Sequence, residues 1–332
     1  MSEGSSSAAR TLDERIPFDR LRLPVIASPM FLLSGPELVI AQSISGIVGS
    51  FPSLNARPQA VLRGWLARIT AELAEYDRRN PDRPAAPYAV NLIVHKSNAR
   101  LDEDLATVVE FRVPIVITSL GARPEVIAAV HEYGGIVLHD VIDNAFAHKA
   151  IEKGADGLIA VAAGAGGHAG SHSPFALVQE IRSWFDGPLA LSGAIAHGRS
   201  ILAAQAAGAD LAYIGSAFIA TDEAQADPRY KQMVIDSGAA DIIYSDLFTG
   251  VPANYLRGSI EAVGYDPDRL PRSDTGATDF GIGDSGSRAR PWRDIWGCGQ
   301  GIGAVAAVEP AARVVERLAT QYISAKQRLA AL

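Results

Sequence analysis

The residues with most scope for catalysis lie in the stretch GAGGHAGSH, residues 164–172, where four of nine residues are glycine and His168 stands near the middle. Histidine titrates near neutral pH, so it can take a proton from carbon or oxygen. The flanking glycines would let a flat ligand lie beside the imidazole ring. His168 is therefore either a general base beside a ligand or a loop histidine bonded to backbone, and the stretch alone leaves both open.

The other histidines and the cysteine give weaker indications of a catalytic or metal-binding role. His172 comes shortly before Pro174, where a helix is expected to begin, so capping or solvent exposure is its expected role. Cys298, the one cysteine, is expected to be a small buried residue, and it excludes a disulfide framework or a Cys-rich zinc site. No HExxH or His-x-His spacing accompanies the four histidines His139, His168, His172 and His197. We therefore expect no metal site.

Small residues with hydroxyl groups suggest a second kind of chemistry, the binding of a phosphate. Ser192-Gly193-Ala194 and Gly215-Ser216 each follow an apolar run and would let backbone N–H groups approach an anion. The alternative is that they are ordinary turn residues. No Walker motif is present and no GxGxxG follows the first strand, which excludes a classical P-loop or dinucleotide-binding fold.

The composition restricts the class of protein. The chain has 332 residues, 48% of them hydrophobic, which is enough for a large core. Its net charge is −7 and no Lys/Arg block stands out, so a nucleic-acid partner is not expected. The first residues lack the apolar core of a secretory signal, and no apolar run could span a bilayer. We expect a cytoplasmic protein that does not associate with a membrane.

Short apolar runs rich in Val, Ile and Leu alternate with helical patterns from about residue 24 to residue 216. Most of these runs lack polar alternation, which is typical of parallel strands covered on both faces. They lie at 24–28, 46–51, 88–93, 114–120, 135–141, 157–162, 188–193 and 211–216. About eight strands alternating with helices predict an α/β protein with a (β/α)₈ TIM barrel rather than an open sheet.

The sequence divides into four regions. Residues 1–16 are expected to be a disordered tail, and residues 17–225 to form the barrel. The polar segment 226–290, after the eighth strand, is expected to be a smaller, mainly helical and loop insertion that shapes the mouth of the site. Residues 291–332 are expected to end in an amphipathic helix that packs back on the barrel. In such a barrel the site forms at the carboxyl ends of the strands.

Six motifs occur in an order that resembles the nitronate monooxygenase family, formerly called 2-nitropropane dioxygenases. They are PVIASPM (24–30), VNL (90–92), AGGHAG (165–170), LSGAIAHGRS (191–200), YIGSAFIAT (213–221) and WGCGQGIG (296–303). The resemblance covers about residues 18–222 and the C-terminal helix, and it is weak over 226–290. AGGH is its most specific element.

The resemblance implies a TIM barrel that binds FMN without a covalent link. The isoalloxazine ring would lie beside Ser28, Pro29 and Met30, in a pocket that Asn91, His139, Gly166 and Gly167 complete. The phosphate and ribityl chain would be held by Ser192, Gly193, Ala194, Gly215 and Ser216. His168 matches the family's catalytic base. The implied reaction consumes O₂ and converts a nitronate, or a nitroalkane after loss of its α-proton, to a carbonyl compound and nitrite.

Two features depart from the family pattern. Ser28-Pro29 stands where members often have Gly-Gly, and His139-Asp140 stands where some have a lysine near the pyrimidine edge of the flavin. A negatively charged Asp140 would disfavour negative charge on the reduced flavin. The barrel also resembles FMN-dependent enoyl-acyl carrier protein reductases and relatives that reduce quinones with NADH, and a non-catalytic flavin-binding barrel is a third alternative. The physiological small-molecule substrate and the oligomeric state, with a homodimer as one arrangement, stay open.

Overall fold

The computed structural model describes residues 18, 21–272 and 290–331. The predicted tail, residues 1–16, and the last part of the predicted insertion, residues 273–289, lie outside the described residues.

Eight parallel strands form the central sheet, in the order β1-β8-β7-β6-β5-β4-β3-β2. A parallel bridge between Ile26 and Val48 joins the first strand to the residues before the second and so closes the sheet into a barrel. The predicted (β/α)₈ TIM barrel is confirmed. The strands are β1 Val25–Ala27, β2 Gly49–Pro52, β3 Tyr88–Ile93, β4 Ile115–Ser119, β5 Ile136–Val141, β6 Gly157–Val161, β7 Leu189–Ser192 and β8 Leu211–Ile214.

Helices cover the outer face of the sheet. The strand runs are continuously apolar because side chains on both faces are buried, as in β4 and β6, where every residue is buried. Several helices begin with proline, whose missing N–H costs nothing at that position. The helices that follow β1 to β7 are α1 Pro36–Ile44, α2 Val61–Arg79, α3 Leu101–Glu110, α4 Pro124–Glu132, α5 Asn144–Glu152, α6 Pro174–Arg182 and α7 Gly198–Ala206.

In the described part of the chain, three further helices follow the eighth strand: α8 Pro228–Asp236, α9 Arg257–Ala262 and α10 Ala311–Ala330. The long C-terminal helix α10 packs against α7 and α1. The two helices α7 and α10 approach so closely that a Cβ atom at Gly198 would lie 2.5 Å from the Leu318 carbonyl oxygen. Among the described residues, no helix combines the length and the apolar character needed to cross a membrane.

A second, small antiparallel sheet covers one side of the barrel mouth. It contains β9 Ile242–Ser245, β10 Ala253–Leu256 and the two residues Gly167–His168. The sequence suggested helix and loop for this segment, and the two strands were not anticipated. β9 and β10 pair with each other, and β10 also pairs with a two-residue stretch more than 80 positions earlier, a pairing that no local pattern indicates.

Candidate active site

A cavity of about 810 Å³ opens at the carboxyl ends of the barrel strands. Its volume lies in the range of about 300–1,000 Å³ that ligand sites occupy. Of the predicted site residues, it is lined by Ser28, Pro29, Met30, Asn91, His139, Gly166, Gly167, His168, Ser192, Gly215 and Ser216. The remaining two, Gly193 and Ala194, line a small adjoining crevice together with Ser192 and Ser216. The structure therefore brings every predicted site residue to one region.

The backbone of His168 is held by the small sheet. His168 pairs with Ala253 of β10, and Gly167 pairs with Asn254. The Asn254 side chain, which is 3% exposed, donates a hydrogen bond from Nδ2 to the Ala165 carbonyl at 2.6 Å. A glycine-rich segment has little conformational preference of its own, so the AGGH loop depends on such contacts for its position. These contacts hold the loop at the mouth of the barrel.

Thr249 and Trp292 both lie against the side chain of His168. Its Nε2 atom lies 3.3 Å from Thr249 Oγ1, and its ring meets the edge of Trp292 at a centroid distance of 5.2 Å. Burial disfavours the imidazolium form and lowers the pKa of His168 to about 4. The ring is therefore neutral at neutral pH and has one nitrogen able to accept a proton.

Thr249 determines which nitrogen of His168 carries the proton. The Thr249 hydroxyl donates its hydrogen to the Val251 carbonyl at 2.9 Å, and the residue is fully buried. Because a hydroxyl has one hydrogen, Thr249 Oγ1 acts as an acceptor toward His168. An acceptor at this position favours the tautomer with the proton on Nε2, in which Nδ1 carries the lone pair.

Polar side chains at the ends of β3, β4 and β5 form a directed chain of hydrogen bonds. Asn91 Nδ2 donates to Ser119 Oγ at 2.8 Å and to the Ile117 carbonyl at 3.1 Å. Ser119 Oγ in turn donates to Asp140 Oδ2 at 2.5 Å. Burial raises the pKa of Asp140 to about 7, and the bond from Ser119 acts in the opposite direction.

His139 occupies the same wall. Its Nδ1 atom lies 2.6 Å from Thr118 Oγ1, and the side chain is 4% exposed. Burial, and to a smaller degree the charge of Lys153, lowers the pKa of His139 to about 4. This part of the wall therefore contributes a neutral imidazole at neutral pH.

The segment after β1 is tied to its neighbours on both sides. Ser28 N donates to the Ile214 carbonyl of β8 at 2.8 Å, and Asn55 Nδ2 donates to the Met30 carbonyl at 2.9 Å. A Cβ atom at Gly215 would lie 3.1 Å from Ser28 Cβ, so the loops after β1 and β8 are in contact.

The crevice is built almost entirely from backbone and small residues. Its lining includes Gly164 and Gly166 after β6, Gly193 and Ala194 after β7, Gly215 and Ser216 after β8, and Gly299 and Gly301 of the C-terminal segment. Gly193 and Ala194 both have positive φ, at 138° and 54°. A Cβ atom at Gly166 would lie 2.8 Å from Gly299 N, and one at Gly301 would lie 2.9 Å from the Ala194 carbonyl oxygen. Main chains that meet this closely keep the crevice narrow, with a volume of about 20 Å³.

Several of these residues were missed from the sequence. Gly299 and Gly301 stand at alternate positions of WGCGQGIG, and that spacing is a signal that could have placed them at the crevice. Thr249 and Trp292 carry no comparable signal, since they reach His168 only through the tertiary fold. His172 is exposed, and Ser173, not His172, occupies the N-cap of α6.

Cys298 is fully buried, and burial raises the pKa of its thiol to about 12, so it is not a nucleophile at neutral pH. Within residues 18, 21–272 and 290–331 no three His, Cys, Asp or Glu side chains are grouped so that they could hold a metal ion.

Solved structures of two enzymes share the fold of this barrel. Nitroalkane oxidase from Streptomyces ansochromogenes superposes with a TM-score of 0.75 at 24% identity, over 94% of this chain and 99% of that chain. FabK from Thermotoga maritima gives a TM-score of 0.75 at 22% identity, over 97% of this chain and 99% of that chain. These two likenesses show the fold.

The family model for nitronate monooxygenase matches residues 17–319, so the chain belongs to the nitronate monooxygenase family, whose members are flavin oxidoreductases. The nitronate monooxygenase of Paraburkholderia phytofirmans is 25% identical over 91% of this chain and 93% of that protein. The alignments with two further relatives span less than half of their length, 45% and 39%. The family resemblance drawn from the motifs is confirmed.

Proposed function

We propose that this enzyme oxidises nitronates, and neutral nitroalkanes after proton removal by His168, with non-covalently bound FMN and O₂, to a carbonyl compound and nitrite. The observation that carries the proposal is His168, a half-buried and neutral imidazole that lines the cavity at the strand ends of a barrel of this family. A neutral imidazole has an unprotonated nitrogen that can accept a proton from carbon.

The site fits FMN at both ends. The crevice of close main chains, with Ser192 and Ser216 at its rim, suits a phosphate group, which backbone N–H groups and hydroxyls bind well. The adjoining cavity is large enough for a planar ring system. When bound, FMN supplies the electron transfer of the reaction.

The residues of the chain supply the acid–base chemistry and the environment. His168 Nδ1 accepts the α-proton of a nitroalkane, while Nε2–H stays bonded to Thr249. The nitronate that forms is an anion, so it raises the pKa of the neighbouring imidazolium and stabilises the transferred proton. The ring of Trp292 packs against the imidazole in a T-shaped contact and adds to its apolar surroundings.

Replacing Thr249 by valine tests the assigned tautomer. The variant leaves Nε2–H without its acceptor, which costs about 1–3 kcal/mol for a buried donor, or about 5- to 150-fold in kcat/KM for a neutral nitroalkane. Thr249→Ser keeps the hydroxyl and is the matched control, with activity close to that of the wild type. Oxidation of a nitronate prepared in advance needs no base and should change little in either variant. Equal losses in the valine and serine variants would refute the assignment.

Anaerobic titration of the purified flavoprotein separates the proposed activity from its rivals. We expect a nitronate to bleach the flavin absorbance, and readmitted air to release nitrite. Bleaching by NADH or NADPH, with no response to a nitronate, would identify a reductase. No response to either would identify a flavin-binding barrel without turnover. The cytoplasmic location and a homodimer stay predictions.

A further inference from the structure

Asp140 has one carboxyl oxygen that the described residues leave without a hydrogen-bond partner. Its Oδ2 atom accepts the hydrogen of Ser119 Oγ, while Oδ1 is buried and unpaired. An unpaired carboxylate oxygen in such a place is costly, whereas a protonated carboxyl has an O–H to offer to a ligand. Asp140 also lines the cavity, so a ligand in the cavity can supply the missing partner.

The direction of the hydrogen-bond chain shows which oxygen would hold the proton. Asn91 donates to Ser119, and Ser119 donates to Asp140 Oδ2, so Oδ2 already receives a hydrogen. With Oδ2 accepting from Ser119, the unpartnered Oδ1 is the oxygen that would carry a proton on the carboxyl. The chain also fixes the orientation of the carboxyl group, because each donor has a defined acceptor.

The groups around Asp140 leave the carboxyl without a positive partner. His139 lies beside it on β5 and is neutral at neutral pH because burial lowers its pKa to about 4. Tyr213 faces it from β8, and the pKa of this phenol is raised well above its ordinary value by burial and by the charge of Asp140. Lys153 acts on His139 rather than on Asp140. Burial without a cation favours the protonated carboxyl, in agreement with the pKa of about 7.

We propose that Asp140 enters the cavity as a neutral carboxyl with its hydrogen on Oδ1, and that this O–H stabilises the negative charge that develops on the bound flavin. The inference rests on FMN binding as proposed above. It reverses the expectation from the sequence, in which a charged Asp140 would oppose a negative flavin. The proton stays on Asp140, so the carboxyl acts as a hydrogen-bond donor. This donor is lost once the carboxyl ionises.

The first test is infrared spectroscopy of the protein with and without FMN. The carbonyl stretch of a protonated carboxylic acid should be present in the wild type at pH 6, diminish by pH 8, and be absent from Asp140→Asn. Addition of FMN should shift the band, because Oδ1–H gains a partner. Absence of the band from the wild type at pH 6, or a band that FMN leaves unchanged, would overturn the proposal.

The second test is the reduction potential of the flavin as a function of pH. Below pH 7 the neutral carboxyl stabilises the reduced anion, and above it the carboxylate repels that anion, so the wild-type potential should fall with an additional slope as the carboxyl ionises. Asp140→Asn keeps a donor at every pH and should lack this slope, so its potential lies above that of the wild type at pH 8. A variant potential that follows the wild type throughout would contradict the role of Asp140.

Two further variants secure the result. Ser119→Ala removes the bond that favours the ionised form, so it should move the change in slope to higher pH, an effect that a merely structural role would not produce. Asp143→Asn removes a carboxylate three residues away but keeps a good N-cap for α5, and it should leave the slope unchanged. If nitronates prove inert while the slope follows Asp140, only the proposed reaction fails. If nitrite is released while the slope is absent, only the role of Asp140 fails.

Discussion

Replacing His168 by alanine is expected to lower kcat/KM for a neutral nitroalkane by about 10²- to 10⁴-fold, the contribution typical of a positioned general base. His139, which also lines the cavity, has its Nδ1 atom 2.6 Å from Thr118 Oγ1. Oxidation of a nitronate prepared in advance should be retained, because its proton is already gone. Steady-state kinetics with the two substrate forms measures the difference directly.

The same assignment predicts the pH dependence for the wild type. The pKa of His168 is lowered to about 4, so the basic form is present above that value and is lost as the pH falls through it. We expect kcat/KM for a neutral nitroalkane to fall below about pH 4 and to show no limb from this residue near pH 6.5. His172→Ala, an exposed histidine four residues along the same loop, is the matched control and should behave as the wild type. Unchanged activity of His168→Ala on neutral nitroalkanes would eliminate the base role.

The strand ends of the barrel could be predicted from the sequence for a physical reason. Parallel strands buried on both faces are continuous apolar runs, so the point where each run ends can be located without knowledge of the fold. Ser28, Asn91 and Ser192 were placed in this way, and all three line the cavity. The glycines of the AGGH loop were found because a histidine between small residues is unusual wherever it occurs.

The partners of these residues could not be found in the same way. Thr249 lies 81 positions from His168 in the sequence, and the contact exists only because β10 pairs with the AGGH loop. The charge state of Asp140 is likewise a property of the surroundings, because burial and the bond from Ser119 decide it together. Local patterns predict elements and their ends, whereas hydrogen-bond direction and burial depend on which elements meet.

Gly301→Ala is expected to weaken FMN binding by about 5- to 150-fold, which corresponds to about 1–3 kcal/mol of overpacking. The added Cβ atom would lie 2.9 Å from both the carbonyl carbon and oxygen of Ala194, so the short turn Gln300–Ala304 must move away from the loop after β7. That movement opens the crevice proposed to hold the phosphate. Fluorescence titration of the apoprotein with FMN measures the dissociation constant.

A neighbouring glycine and a second ligand make the test specific for the phosphate. Gly303 belongs to the same short turn, is exposed, and has no atom within 4 Å of a Cβ built on it, so Gly303→Ala should bind FMN as the wild type does. Riboflavin has the same ring system without the phosphate, so Gly301→Ala should weaken FMN far more than riboflavin. Equal weakening of both ligands would mean that the phosphate does not bind in the crevice. Equal effects of the two alanine variants would mean that the contact with Ala194 does not cause the weaker FMN binding. A selective loss of FMN affinity would instead show that the alternate glycines of the C-terminal segment and the loops after β6, β7 and β8 form one phosphate site. Backbone that approaches within van der Waals distance on four sides tolerates no further side-chain atom.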